Sequence, residues 1–210
     1  MCTSQVTDTS NLFDRIGTYG RDNLNADISN WDVSNVVNMS GMFANARFFN
    51  SPLDSWEVNK VEDMSKMFLN AIRFDQTLEN WQGGEVINMS GMFKNAQRFN
   101  KPLNNWTVDK VENMSEMFRA TRLFDQPLDN WQVGNVTNMD WMFAGARRFN
   151  QEVEGWNIQN VNRMSQMFAG TKVFDKPLEG WKDKMGNIRN MSGMFKNAEI
   201  FNKPLNDWNV

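Results

Sequence analysis

No histidine occurs anywhere in the 210 residues. Its absence removes every Ser-His, Cys-His and His-metal arrangement from the candidate chemistries. Cysteine is nearly absent as well: Cys2 stands alone, so no intramolecular disulfide and no cysteine metal cluster can form. No apolar run reaches the roughly 18 residues that a transmembrane helix needs, and no GxxxxGK phosphate loop is present. The first residues lack the charged start and apolar stretch of a signal peptide. Charge of either sign barely dominates: a net −3 suggests neither nucleic acid nor an anionic membrane as a partner. No cofactor and no metal ion is expected.

What the sequence does have is a period. Trp31, Trp56, Trp81, Trp106, Trp131, Trp156 and Trp181 follow one another at 25 residues, and a last step of 27 reaches Trp208. A fixed period of this size marks units that bury their apolar faces against one another. The unit is well seen in Val61–Trp81, VEDMSKMFLNAIRFDQTLENW. Within it Met64, Met67, Phe68, Ala71 and Phe74 fall at i, i+3, i+4, i+7 and i+10, the stripe of a helix. Asp63 or Ser65 stands where an N-cap would. Trp56-x-Val58 and Trp106-x-Val108 alternate with period two, as a short strand does. The expected fold is therefore α/β: a solenoid of seven to eight strand-turn-helix coils, with parallel strands on one face and helices on the other. Trp56, Trp81, Trp106 and Trp131 are expected to be buried and stacked in register.

The column Leu53-x-x-Trp56-x-Val58-x-x-Val61 has the spacing of a leucine-rich-repeat strand. More closely, NMSGMF…FN…PLxxWxV, and the copy DISNWDVSNVVNMSGMF at 27–43, resemble the BspA-like surface repeats, also called the mycoplasma lipoprotein-type repeat. The resemblance covers roughly residues 24–210. It implies a right-handed, leucine-rich-repeat-like solenoid on an extracellular or cell-surface protein, usually linked to adhesion, and it carries no catalytic residue to transfer.

Residues 1–23 read as an irregular N-terminal cap, with Leu12, Phe13, Ile16 and Tyr19 spaced for a short amphipathic helix, and 24–210 as one repeat domain. Cys2 is either the lipid-bearing first residue of a lipoprotein, the one membrane attachment expected, or an incidental thiol. The column Asn50, Asp75, Asn100, Asp125, Asn150, Asp175, Asn202 is read as side chains that satisfy buried backbone groups rather than as metal ligands. Three departures interrupt the pattern. Asp140-Trp141 brings an extra aromatic, Gly83-Gly84 should loosen a strand, and two additional residues lengthen the loop after Trp181. The chain stops at Trp208–Val210, after the strand portion of a unit, so the natural protein is expected to continue or this edge to meet another chain.

Two surfaces are candidates for binding. Beside the strand tryptophans lie Glu57, Asn59, Gln82, Thr107, Asp109, Gln132 and Asn157, amide-rich and nearly uncharged, to which Trp141 is added as an exposed aromatic. The second is a basic ridge of Arg47, Arg73, Arg98, Arg122, Arg147, Arg148 and Lys172, read first as complementing helix C-terminal dipoles. Carboxylate pairs can hydrolyse glycosides, but Asp32, Glu57 and Asp109 are scattered over distant coils, Glu57 and Asp109 roughly 10 Å apart at ~4.8 Å per coil. The sequence thus points to a non-enzymatic module binding a protein or glycan on a cell surface. The other reading is a structural spacer or assembly subunit that associates through its edges.

Overall fold

A computed structural model describes residues 5–16 and 27–208. Cys2 and Tyr19 lie outside the described residues, and with them the question of a lipid anchor. The coils do repeat and stack, but they are not built of strands and helices. Parallel single-residue bridges join Asp8, Asn38, Asp63, Asn88, Asn113, Asn138, Arg163 and Asn190 in sequence, one per coil. On either side of each bridge the chain turns continuously.

The turn arc follows one rule. Met39, Gly41, Phe43 and Asn45 donate their amides to the next coil, to the carbonyls of Asp63, Ser65, Met67 and Leu69, at 2.6–2.9 Å. The residues between them donate within the coil: Met42 to Met39, Ala44 to Gly41 and Ala46 to Phe43. Each local bond closes a four-residue turn. Gly41 (φ 62) and Asn45 (φ 60) occupy the third position of alternate turns in the left-handed region, as a type II turn demands. The arc recurs in every coil. Residues 8–16 form it too, with Asn11 (φ 54) and Arg15 (φ 60) in the same places.

The expected helix over Met64–Phe74 is therefore overturned, and with it the α/β, leucine-rich-repeat-like assignment. The amphipathic helix expected from Leu12 is likewise turns over its described part. Period two fails for the same reason: Trp56 and Val61 close local turns back to Leu53 and Val58, so no strand forms there. Among the described residues the one helical element is a 3-10 helix, Glu179–Lys184. It takes up the two additional residues after Trp181 and delivers Met185 into the core.

Packing explains why the arc is stable without regular structure. Met39, Met42, Phe43, Ala46 and Phe49 point inward, as do their counterparts in the next five coils, all buried or nearly so. Phe43, Phe68, Phe93, Phe118, Phe143, Phe168 and Phe195 form one stack at 5.6–5.8 Å between ring centroids. The tryptophans from Trp56 to Trp181 are buried in a second column, as expected. Each indole N–H of this column donates to the leucine, isoleucine or valine carbonyl of the coil before, for example Trp81 Nε1 to Leu53 O at 2.9 Å. Burying such rings stabilises by about 1.5–3 kcal/mol apiece before entropy.

Inter-coil backbone bonds end with the arc. Among the described residues none involves 49–61 or the counterparts of those residues. Side chains join the coils there instead. Asn50, Asp75, Asn100, Asp125, Asn150 and Asp175 each accept, through Oδ1, the amide of the same position one coil on, at 2.8–3.0 Å. The Asn/Asp column is thus structural. Gly83 leaves the local geometry intact: Val86 N still reaches Gly83 O at 3.0 Å. A glycine does not loosen a strand where there is none.

Candidate functional site

The structure brings seven of the eight expected ligand residues onto one face. Glu57, Asn59, Gln82, Thr107, Asp109, Gln132 and Asn157 are all exposed, at or two residues past the position following each buried tryptophan. Beside them runs an open groove of about 600 Å³ lined by Ile87, Lys110, Glu112, Asn135, Thr137 and Asn160. Its polar groups are largely committed. Lys110 is paired with Glu85 at 2.7 Å, which raises the ammonium pKa. Asn135 and Asn160 donate to the carbonyls of Asp109 and Gly134 in the preceding coils.

Trp141 lies elsewhere, in a second groove on the turn arc, and its surroundings depart from the repeat in a coordinated way. In this column every coil takes the left-handed position: Gly41, Gly91 and Gly193 do so, and so do Lys66, Glu116, Gln166 and Trp141, at φ 54–60. A bulky side chain in that region is strained and persists only where its surroundings hold it. Arg119 holds one face of the indole, its guanidinium carbon 4.3 Å from the ring centroid. Arg119 is itself fixed by Glu116 at 2.6 Å, and Lys94 reaches the same carboxylate oxygen at 2.5 Å. Burial works to raise the Glu116 pKa, but these two cations outweigh it and hold the carboxyl below its ordinary value.

The floor of this groove is cleared. Asn45, Asn70 and Asn95 form a side-chain ladder across the first coils, but Ala120, Gly145 and Gly170 replace it beside Trp141. The resulting groove of about 390 Å³ is lined by Trp141, these three small residues, Ala144, Ala169, Gln166, Arg119 and, at its far end, Lys196 and Asn197. It offers an aromatic wall, bare backbone and a rim of amides and cations.

The residue before Trp141 carries a compensation. In other coils an Asn or Asp at the bridge position accepts the amide two residues on, as Asp63 does for Ser65 at 2.7 Å. Arg163 cannot accept. Asp140, in the neighbouring coil, accepts the Ser165 amide in its place at 2.7 Å and pairs with Arg163 at 2.6 Å. Asp140 and Arg163 are thus coupled departures. Sequence reasoning noticed Asp140 without finding its partner, since the two are 23 residues apart, two short of the repeat period.

Among the described residues no group of three His, Cys, Asp or Glu side chains could hold a metal ion, and no helix is long and apolar enough to cross a membrane. Neither the curated proteins nor the solved structures give a match. One family model matches three overlapping times, over residues 1–106, 54–146 and 124–210. This fits a repeat family in general, without singling out the BspA-like repeats. Together the three spans cover the whole sequence, and the chain belongs to the family described as "Mycoplasma protein of unknown function, DUF285".

Proposed function

We propose that the protein is a non-enzymatic binding module that acts at a cell surface and takes a glycan into the Trp141 groove. The observation that carries this reading is Trp141 itself: an aromatic placed where three other coils have glycine, in a left-handed conformation, over a floor cleared of side chains. The left-handed angle recurs at this position in every coil, so what sets this coil apart is the aromatic side chain together with the cleared floor beside it. The apolar C–H face of a sugar ring could stack on the free part of the indole while Gln166, Asn197 and Lys196 meet its hydroxyls. The missing histidine supports a non-enzymatic role, and the likeness to BspA-like surface repeats supports the location. A glycan array read with the native protein and with Trp141→Gly is the test. The variant should stay folded and lose the signal; silence of the native protein across the array would remove the glycan reading.

A second reading, an assembly subunit, draws on the last coil. Ile188, Met191, Phe195, Phe201, Leu205 and Trp208 are packed on the core from one side yet only partly buried. A coil of a second copy would stack on them. Light scattering over a concentration series distinguishes the two, because a binding module alone shows no concentration-dependent mass.

A further inference from the structure

The corner at which each turn arc ends displays cations. Arg47, Arg73, Arg98, Arg122, Arg147 and Arg148 are all exposed there, one or two in each of five successive coils. Complementing helix C-terminal dipoles cannot account for them, because no helix ends at this corner. Ion pairing does not account for them either. Among the described residues, none of the six lies in a salt bridge, whereas Arg15, Arg119 and Arg163 each have an acidic partner. Arg73 alone has a further contact, over the Phe48 ring at 4.9 Å. The row ends where Lys172 pairs with Glu199. A file of unpaired guanidinium groups on a chain of net charge −3 repels itself. It is retained here along one corner, at two adjacent positions of successive coils.

We infer that this ridge is a binding site for a linear acidic polysaccharide, one bearing sulfate or carboxylate groups along its length. Three features select that partner. The planar guanidinium grips an oxyanion through two parallel hydrogen bonds, which a lysine cannot do, and the unpaired row is arginine throughout. The cations lie in file at about 4.8 Å per coil, some 19 Å over five coils, so an extended polymer meets them in succession. The ridge is also poor in what other polyanion partners use. The ring of Phe48 already carries Arg73 over one face, where a base would otherwise stack. The exposed apolar side chains Val173 and Ile200, suited to a lipid surface, sit beyond the arginines, in the coils of the Lys172–Glu199 pair.

The site is separate from the Trp141 groove and stands without it. The experiment measures binding of the full chain to heparin, a sulfated linear polysaccharide. Neutral dextran, single-stranded DNA and vesicles containing phosphatidylserine are run beside it at two salt concentrations. Heparin should bind, more weakly at high salt, and dextran should not. Arg98→Glu with Arg122→Glu should lower affinity by about tenfold or more, since each charged hydrogen bond contributes about 1.5–3 kcal/mol, with no fall in Tm. Arg98→Lys with Arg122→Lys keeps the charge but should still weaken binding, and Trp141→Gly should leave it unchanged. No binding to heparin, equal binding by the charge-reversed protein, or tighter binding to DNA or vesicles than to heparin would each overturn the assignment.

Discussion

Asn100 stands between Asp75 and Asp125 in a column where amide and carboxylate alternate. Both side chains can accept the next coil's amide through Oδ1, so hydrogen bonding alone does not choose between them. Charge does. Carboxylates in consecutive coils would lie about 4.8 Å apart, and alternation doubles that distance. Asn100→Asp should therefore destabilise by about 1 kcal/mol at pH 7, and urea titrations should show the loss shrinking as added salt screens the repulsion. Asp175 tests the opposite change. Lys203 first, then the Asn202 amide, hold its carboxyl below the ordinary 3.8. A lowered folded value means stability that is present above the ordinary value and lost as pH falls through the folded one. Asp175→Asn keeps the amide acceptor but removes the titration. Thermal melts between pH 6 and 2 should then show a shallower acid decline than the native chain. Trp81 combines ring stacking with a hydrogen bond to Leu53 O. Trp81→Ala should cost about 3–5 kcal/mol, and a loss under 1 kcal/mol by urea unfolding would contradict its place in the core.

The turn arc shows which parts of the fold the sequence made legible. Period, inward residues, tryptophan burial and the Asn/Asp column are all visible in one copy against the next, because stacking forces the same side chain into the same place. The backbone was not. Met39, Met42, Phe43 and Ala46 satisfy a helix of period 3.6, yet the arc repeats every four residues: one inward pair, one outward pair. Over eight residues the two periods diverge by less than one residue. The discriminating signal lay in the outward pairs, where Gly41, Asn45, Asn70, Gly91 and Asn95 are poor formers of a helix interior and good occupants of a left-handed turn position. Trp141 was legible as an extra aromatic, but its groove was not, since the cleared floor of Ala120, Gly145 and Gly170 is contributed by its own and neighbouring coils. The coupling of Asp140 to Arg163 can be measured. Asp140→Ser strips the Ser165 amide of its acceptor and should cost about 1–3 kcal/mol. With Arg163→Asn in the background, the bridge position regains its own acceptor and the loss should nearly vanish. A double-mutant cycle that proves additive would refute this compensation.

At the scale of the whole molecule, the coil is the unit of addition and removal. Excising the 25 residues from Gln82 to Trp106 joins equivalent positions, so every inward column stays in register. The shortened protein should fold with reduced stability, since stacked repeats add nearest-neighbour terms. Excising 12 residues from the same place, which leaves a spacing that no coil of the chain has, should abolish cooperative unfolding. Circular dichroism should show no pronounced helical minimum in either the parent or the 25-residue deletion, consistent with turns in place of helices. The uneven division of hydrogen bonds has a mechanical consequence. Along the arc the coils are fastened backbone to backbone, while along residues 49–61 and their counterparts only side chains cross between them. The molecule is therefore bound like a book, with a stiff spine and pages that can fan. Bending should open the tryptophan side while the spine keeps its length, which changes the curvature of the face carrying Gln82, Thr107 and Gln132.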